Sequence, residues 1–395
     1  MCGVIGVVGT PQAAKEAFLG LITLQHRGQD AAGILVLDSN QNFKLHKNTG
    51  LVESVFTRET IESLSGSFAI GHNRYSTVGL STLAEVQPLV ANYPYGIGIV
   101  HNGNLVNYLE LKERLAKEMR VRCLTSSDSE TILNWVAQNL SGTKFEDILK
   151  AVGSVFENVK GSYSVVGLIA EAGLIAFRDP FGIRPLILGS KEVDGKTAYM
   201  VASETAPLSF LGYKVVRNLD PGEVIFIDKE FKLHSKILKK NELRACMFEW
   251  VYFAGAESVI EEAPVYGTRL ELGHELGKII RGKIESGEID IGGQLASMKA
   301  VVTPVPDTAR PAATGIAEEL GVVYRDVLIK NRYITRTFIL GSQSKREKAV
   351  DLKLHPIMSE IKGRTVILVD DSIVRGTTSR KLVQHVRSAG AERVY

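Results

Sequence analysis

The sequence predicts two successive domains: an α+β layered domain over residues 1–241 and an α/β domain with a parallel sheet over 242–395. Three observations carry this. Up to Asn241, β-branched segments bounded by glycine recur (VIGVVG, GILVLD, SFAIGHNR, GIGIVHNG), with helices in separate runs. Beyond about Pro264, strands and helices alternate, the rhythm of βαβ units. At 395 residues and 45% hydrophobic, the chain is long enough to bury two cores.

The elements follow in order. MCGVIGVVG opens with a strand, and PQAAKEAFLGLITLQHR reads as a helix with Pro11 where a first turn tolerates it. SSDSETILNWVAQNL is a second helix, with Asp128 near its start. SYSVVGLIAEAGLIAFRD is strand-rich. In VDGKTAYMVAS, Asp194-Gly195 is a hairpin turn signal. A long helix is expected over about Tyr266–Ser286. The strand AVVTPV then precedes the helix PAATGIAEEL, and TVILVDD precedes TSRKLVQHVRSAG. A further strand begins at GAERVY, where the sequence ends; there is no internal repeat.

Composition excludes several classes. A net charge of +3 signals neither a nucleic-acid partner nor a membrane surface. Cys2, Cys123 and Cys246 are odd in number and widely spaced, which argues against a disulfide framework and for a reducing, cytoplasmic location. No CxxC or HExxH signals zinc, the first apolar run lacks the basic flank of a signal peptide, and no apolar stretch reaches the length of a membrane span. GSKEVDGKT has one residue too many between its glycines for a Walker A loop, and Gly3, Gly6 and Gly9 lack dinucleotide-binding spacing.

The strongest local signal is TVILVDDSIVRGTTSRK. An apolar strand ends in Asp370 and Asp371, a Ser/Gly/Thr loop follows, and then a helix. Ligands of parallel sheets sit beyond the carboxyl ends of the strands, where loop N–H groups and a helix N-terminus hold phosphate. Carboxylates there suit ribose hydroxyls or magnesium. A capped strand-to-helix turn would explain one acid, not two followed by Arg375-Gly376-Thr377-Thr378. The segment resembles the PRPP-binding motif of type I phosphoribosyltransferases. In the form VDDSIVRGTTSR it resembles the amidophosphoribosyltransferase family, the glutamine–PRPP amidotransferases. DVLIKNRYITRTFILGSQSKREKAVDLK is similar to that family's flexible loop over PRPP. Residues 325–353 carry a net charge of +5 against +3 for the whole chain, which suits a polyanion; the plainer reading is a solvated charged face.

The N-terminal half extends the resemblance. Alone, Cys2 reads first as a small hydrophobe opening a buried strand. MCGVIGVVG, HRGQDAAG, HNRYSTVG, HNGNL and TSSDSE, in that order, resemble the family's glutaminase domain. The resemblance implies a four-layer αββα N-terminal nucleophile hydrolase fold. With Met1 removed, Cys2 carries both a thiol and a free α-amine. A free thiol has a pKa near about 8.5, whereas an α-amine titrates at about 7.7–8.0 and serves as base without a histidine. Carried over, Cys2 attacks glutamine, Asn102 and the Gly103 N–H form the oxyanion hole, and Arg74, Thr77 and Asp128 bind glutamine. Singly, Arg74 and Asp128 would read as a surface ion pair, and Asn102-Gly103 as a turn.

In the second domain the resemblance implies that Asp370 and Asp371 anchor ribose and Mg²⁺, with Thr308 near the metal. Ser372, Ile373, Val374, Arg375, Gly376, Thr377 and Thr378 would cradle the 5′-phosphate, and Lys330, Arg332 and Arg336 would meet pyrophosphate. Tyr75, Tyr266 and Tyr333 match positions linked to coupling between the sites. The implied reaction is hydrolysis of glutamine and transfer of its ammonia to PRPP, giving 5-phosphoribosylamine, pyrophosphate and glutamate, the first step of de novo purine (IMP) synthesis. Purine nucleotide inhibitors and a homo-oligomer, dimer or tetramer, are implied partners. Three departures stand out. FEWVYFAGAES lacks an arginine common in the family, Thr335 replaces a frequent glycine, and the sequence ends at Tyr395, just as a strand begins, where family members continue. Many members also carry a [4Fe–4S] cluster; Cys246 sits where one ligand would be, and the others would lie beyond Tyr395. Two alternatives remain: another glutamine amidotransferase such as glucosamine-6-phosphate synthase, against which VDDSIVRGTT argues, and a non-enzymatic PRPP sensor, which would not need Cys2, Arg74, Asn102 and Asp128.

Overall fold

The computed structural model describes residues 2–75, 82–290, 299–331, 354–373 and 376–395. They form two compact units, one of residues 1–247 with 253–262, the other of 248–252 with 263–395.

Among the described residues, thirteen strands build the two large sheets of the first unit: β1 (Gly3–Val8), β2 (Ala31–Leu37), β3 (Phe43–Thr49), β4 (Phe68–Arg74), β5 (Leu89–Ala91), β6 (Ile97–Leu105), β7 (Gly161–Ile169), β8 (Gly173–Arg178), β9 (Ile187–Val193), β10 (Lys196–Ala202), β11 (Lys214–Asn218), β12 (Glu223–Asp228) and β13 (Leu233–Ile237). One antiparallel sheet runs β11-β9-β10-β1-β4-β2-β3 and a second β13-β12-β8-β7-β6-β5.

Alternation along each strand decides what each face meets, because successive side chains point to opposite sides. Ile5, Val7, Ile34 and Val36 pack on one side with Ala17 and Leu21 of the helix Ala13–Thr23. Their neighbours Val4, Val8, Leu35 and Leu37 join Val166, Leu168 and Ile225 of the other sheet. On that sheet's far face, Ile99, Val165 and Ile175 meet Trp135, Val152 and Phe156 of the helices Asp128–Asn139 and Phe145–Asn158. Helix, sheet, sheet, helix is the four-layer αββα arrangement. It explains why β1 and β2 are apolar on both faces; each fully buried Val, Ile or Leu contributes about 1.5–3 kcal/mol relative to exposure. The β9–β10 hairpin turns at Asp194 (φ 49°) and Gly195 (φ 74°), the left-handed pair that a two-residue hairpin requires.

In the second unit, Ala300–Pro304 and Thr365–Val369 pair in parallel, Val301 opposite Val366, flanked by Val323–Tyr324 and Arg393–Val394, also parallel. Val302 and Ile367 face Ile316 and Leu320 of the helix Arg310–Leu320; Val301 and Val366 face Leu382 and Val386 of the helix Thr377–Ser388. Helices on both faces let a short parallel sheet be apolar throughout. The helix Val265–Glu285 matches the long helix expected from sequence.

Candidate active sites

Cys2 immediately precedes β1, a central strand held between β10 and β4. Its backbone nitrogen lies 3.0 Å from Asn102 Oδ1, and its Sγ lies 3.8 Å from the Tyr75 carbonyl oxygen. Arg27 Nε donates to the Cys2 carbonyl at 3.1 Å. Asn102 is fully buried on β6, and its Nδ2 has no hydrogen-bond partner among the described residues. A buried amide left with an unused donor has a polar task still to fill. Gly103 follows, where β6 runs tightly against β7. A Cβ there would stand 2.0 Å from the Ser162 carbonyl oxygen and 2.7 Å from His101 Nε2, so no larger residue fits. Sequence pattern alone gives no sign of this crowding.

Arg74 ends β4 and is buried; its Nη2 donates to Glu85 Oε2 at 2.9 Å. Glu85 also accepts from the Ser126 hydroxyl. Asp128 opens the helix Asp128–Asn139, and its Oδ2 accepts the Leu105 N–H at 3.0 Å. His101 Nδ1 lies 3.9 Å from Asp128 Oδ1 and 2.9 Å from Ser129 Oγ, while its N–H donates to Gln87 Oε1 at 2.6 Å. Burial, opposed by Asp128, lowers the His101 pKa. His72 is pushed down to about 3 by burial, with the charge of Arg74 adding to it; its Nε2 lies 3.3 Å from the His101 carbonyl oxygen. A pKa of this order leaves His72 neutral at physiological pH. Cys2, Asn102, Gly103, Arg74 and Asp128 all fall in this one unit. Glu85, Gln87 and Ser129, which hold Arg74 and His101, were not singled out from sequence. Thr77 lies outside the described residues.

In the second unit, Asp370 and Asp371 follow the strand Thr365–Val369. The neighbouring strand ends at Pro304, and the Val305 N–H donates to the Val369 carbonyl at 2.7 Å. Thr308 lies in the turn just beyond, at the same end of the sheet. Asp307 of that turn accepts Lys330 Nζ at 2.7 Å, so Lys330 is drawn to this end as well. The Asp371 N–H donates to Asp370 Oδ1 at 3.0 Å, and Ser372 Oγ donates to Asp371 Oδ1 at 2.6 Å. Burial and then the charge of Asp371 raise the Asp370 pKa. Burial raises that of Asp371, offset by the Ser372 hydroxyl and by Arg269, a buried residue on the helix Val265–Glu285 that the sequence did not mark. Ile373 is exposed, and Gly376 (φ 68°) adopts the left-handed turn that starts the helix of Thr377 and Thr378. Arg332, Tyr333, Thr335, Arg336, Val374 and Arg375 lie outside the described residues. A cavity of about 550 Å³ adjoins the Asp370–Ile373 loop, with mainly apolar walls that include Leu276, Ile280 and Leu382.

Two adjacent carboxylates with raised pKa values fit a hard cation, which favours their charged form; magnesium commonly takes one or two carboxylates plus substrate oxygens. Among the described residues no three His, Cys, Asp or Glu side chains converge. Cys123 Sγ lies 3.8 Å from Asn134 Nδ2, and the Cys246 N–H donates to the Ile183 carbonyl at 3.2 Å.

Residues 72–209 match the glutamine amidotransferase domain model, and residues 271–395 the phosphoribosyl transferase domain model. The whole chain is 44% identical to an amidophosphoribosyltransferase of Haemophilus influenzae, spanning 78% of that protein. It is 42% identical to those of Escherichia coli and Saccharomyces cerevisiae, again over 78% of each. The solved glutamine PRPP amidotransferase of B. subtilis, complexed with ADP and GMP, superposes with a TM-score of 0.84 at 36% identity, covering all of this chain and 80% of that one. A likeness of this degree, sustained through both units and over the full length, places the chain in the amidophosphoribosyltransferase family, enzymes of purine biosynthesis that use glutamine to aminate PRPP.

Proposed function

We propose that the glutaminase half-reaction runs on Cys2 and the PRPP half-reaction on the Asp370–Thr378 loop. The observation that carries the first assignment is the Asn102 side chain. Its oxygen lies 3.0 Å from the Cys2 nitrogen, while its Nδ2 is buried with no hydrogen-bond partner among the described residues. With Met1 removed, that nitrogen is the α-amine. It takes the thiol proton as Sγ attacks the glutamine amide carbon, and Asn102 Nδ2 with the Gly103 N–H stabilise the resulting oxyanion. The proton passes to the leaving nitrogen, ammonia departs, and water hydrolyses the thioester to glutamate, restoring the thiol. Arg74 and Asp128 bind the α-carboxylate and α-ammonium of glutamine, with Thr77 contributing.

At the second site, ammonia attacks C1 of PRPP, the bond to pyrophosphate breaks, and one proton is lost to give 5-phosphoribosylamine. Asp370 and Asp371 orient the ribose and would hold Mg²⁺, with Thr308 nearby. Magnesium, when bound, offsets charge on the departing pyrophosphate. The loop from Ser372 through Thr378 takes the 5′-phosphate at a helix N-terminus, and Lys330, Arg332 and Arg336 meet pyrophosphate. Purine nucleotides as inhibitors, a homo-oligomeric state and a cytoplasmic location complete the reading. The nucleotides bound to the B. subtilis enzyme support the first. For the last, no helix among the described residues is long and apolar enough to cross a membrane.

Intact mass measurement after treatment with an electrophilic glutamine analogue tests the assignment. The expected species lacks Met1 and carries one adduct, on Cys2. A fully active preparation that retains Met1, or an adduct elsewhere, would overturn it.

A further inference from the structure

Directly after β10 come three buried residues, Ser203, Glu204 and Thr205. On one side they hold the chain around the nucleophile. The Val4 N–H donates to Ser203 Oγ at 3.0 Å, and the Ser203 N–H donates to the Val4 carbonyl at 3.1 Å. Glu204 Oε1 accepts Arg27 Nη1 at 2.5 Å, and Arg27 Nε in turn donates to the Cys2 carbonyl at 3.1 Å. His26 Nε2 lies 2.9 Å from the same oxygen. On the other side the triplet holds residues 255–259. Glu204 Oε2 accepts the Gly255 N–H at 2.9 Å and Ser258 Oγ at 2.7 Å, and Thr205 Oγ1 accepts the Val259 N–H at 2.9 Å.

We propose that Glu204 is a positioning residue for Cys2, and that it ties the placement of the nucleophile to the turn 255–259. The inference rests on the reading of Cys2 as the glutaminase nucleophile. Each carboxylate oxygen serves one side, and the carboxyl group is planar, so a shift of the turn at Oε2 is felt by Arg27 at Oε1. Glu204 is fully buried. Burial alone would push its pKa up, but the Arg27 charge and the His26 contact outweigh that and hold it well below the usual carboxylate range. A buried carboxylate with four donors has little freedom to re-pair, which suits transmission of a small displacement. By connectivity, the turn lies in the segment 253–262, bounded in sequence by residues 248–252 and 263–395 of the other unit.

The test compares Glu204→Gln and Ser258→Ala with the unaltered full chain. Glu204→Gln should lower kcat for glutamine hydrolysis by about tenfold or more while KM for glutamine stays within about twofold, the pattern of a misplaced reacting group rather than a lost binding contact. Ammonia-dependent synthesis should persist. Ser258→Ala removes one donor to Oε2. It should slow alkylation of Cys2 by iodoacetamide, followed by peptide mass spectrometry with Cys123 and Cys246 as internal references. Should Glu204→Gln fail to fold, the Ser258→Ala alkylation rate decides. Unchanged kcat in Glu204→Gln, loss of kcat only together with KM and the ammonia-dependent rate, or an unchanged alkylation rate in Ser258→Ala would overturn the proposal. Cys2→Ala separates the two readings: if it keeps glutamine-dependent activity, the nucleophile assignment fails; if it is inactive while Glu204→Gln is normal, only the positioning role fails.

Discussion

Asn102 Oδ1 and the Cys2 nitrogen lie 3.0 Å apart although 100 residues separate them in sequence. One amide side chain therefore faces the proposed base with its acceptor and has its donor left for the proposed oxyanion hole. Asn102→Asp retains the acceptor and removes the donor. It should reduce kcat for glutamine hydrolysis by about 10²–10³, the usual effect of losing one oxyanion-hole donor. Parallel steady-state assays with glutamine and with ammonium should find only the first impaired. Equal losses with both would place Asn102 outside the glutaminase site.

Gly103 has no room for a side chain. In Gly103→Ala the new methyl would lie 2.0 Å from the Ser162 carbonyl oxygen, so β6 and β7 must separate locally. Overpacking of this kind costs about 1–3 kcal/mol. A lower urea midpoint together with reduced glutaminase activity is expected; an unchanged midpoint would contradict the close strand contact.

Asp370 and Asp371 are predicted to serve PRPP and not glutamine. Asp370→Asn or Asp371→Asn should impair synthesis with either nitrogen donor and leave basal glutamine hydrolysis intact. A second readout follows from the raised Asp370 pKa. Folded protein retains this proton to higher pH than the unfolded chain does. The stability it contributes is present below the unfolded value and is lost as pH rises through the folded one. Without added metal, Asp370→Asn should therefore melt at higher temperature than the unaltered chain at pH 7, and the difference should shrink towards pH 3. A lower melting temperature at pH 7 would show that the ionised carboxylate is held by partners and not strained.

Much of the fold was legible because its signals are local. The alternation of Val4, Ile5, Val7 and Val8 fixes a strand buried on both faces, and Asp194-Gly195 marks the β9–β10 hairpin by backbone chemistry alone. The strand-then-helix rhythm of the second unit, as in AVVTPV followed by PAATGIAEEL, is likewise local in origin. Cys2, Asn102, Arg74 and Asp128 were found through the family resemblance, and the structure gathers them in one unit. What sequence could not supply were partners fixed by topology. Glu85 reaches Arg74, the Leu105 N–H reaches Asp128, and Arg269 influences Asp371, each through strand and helix placement that leaves no periodic trace. The π-helical segment Glu249–Phe253 likewise carries no periodic signal that marks it in the sequence.

The return of residues 253–262 to the first unit has a consequence for synthesis on the ribosome. All strands of both sheets have been synthesised once β13 is made, yet Glu204 still lacks the donors of Gly255 and Ser258. A nascent chain paused at Met247 would leave Glu204 Oε2 without its two donors from the turn. The first unit therefore reaches its final stability after the ribosome has already begun the second, and a fragment intended to fold as a free-standing glutaminase has to extend at least to Glu262.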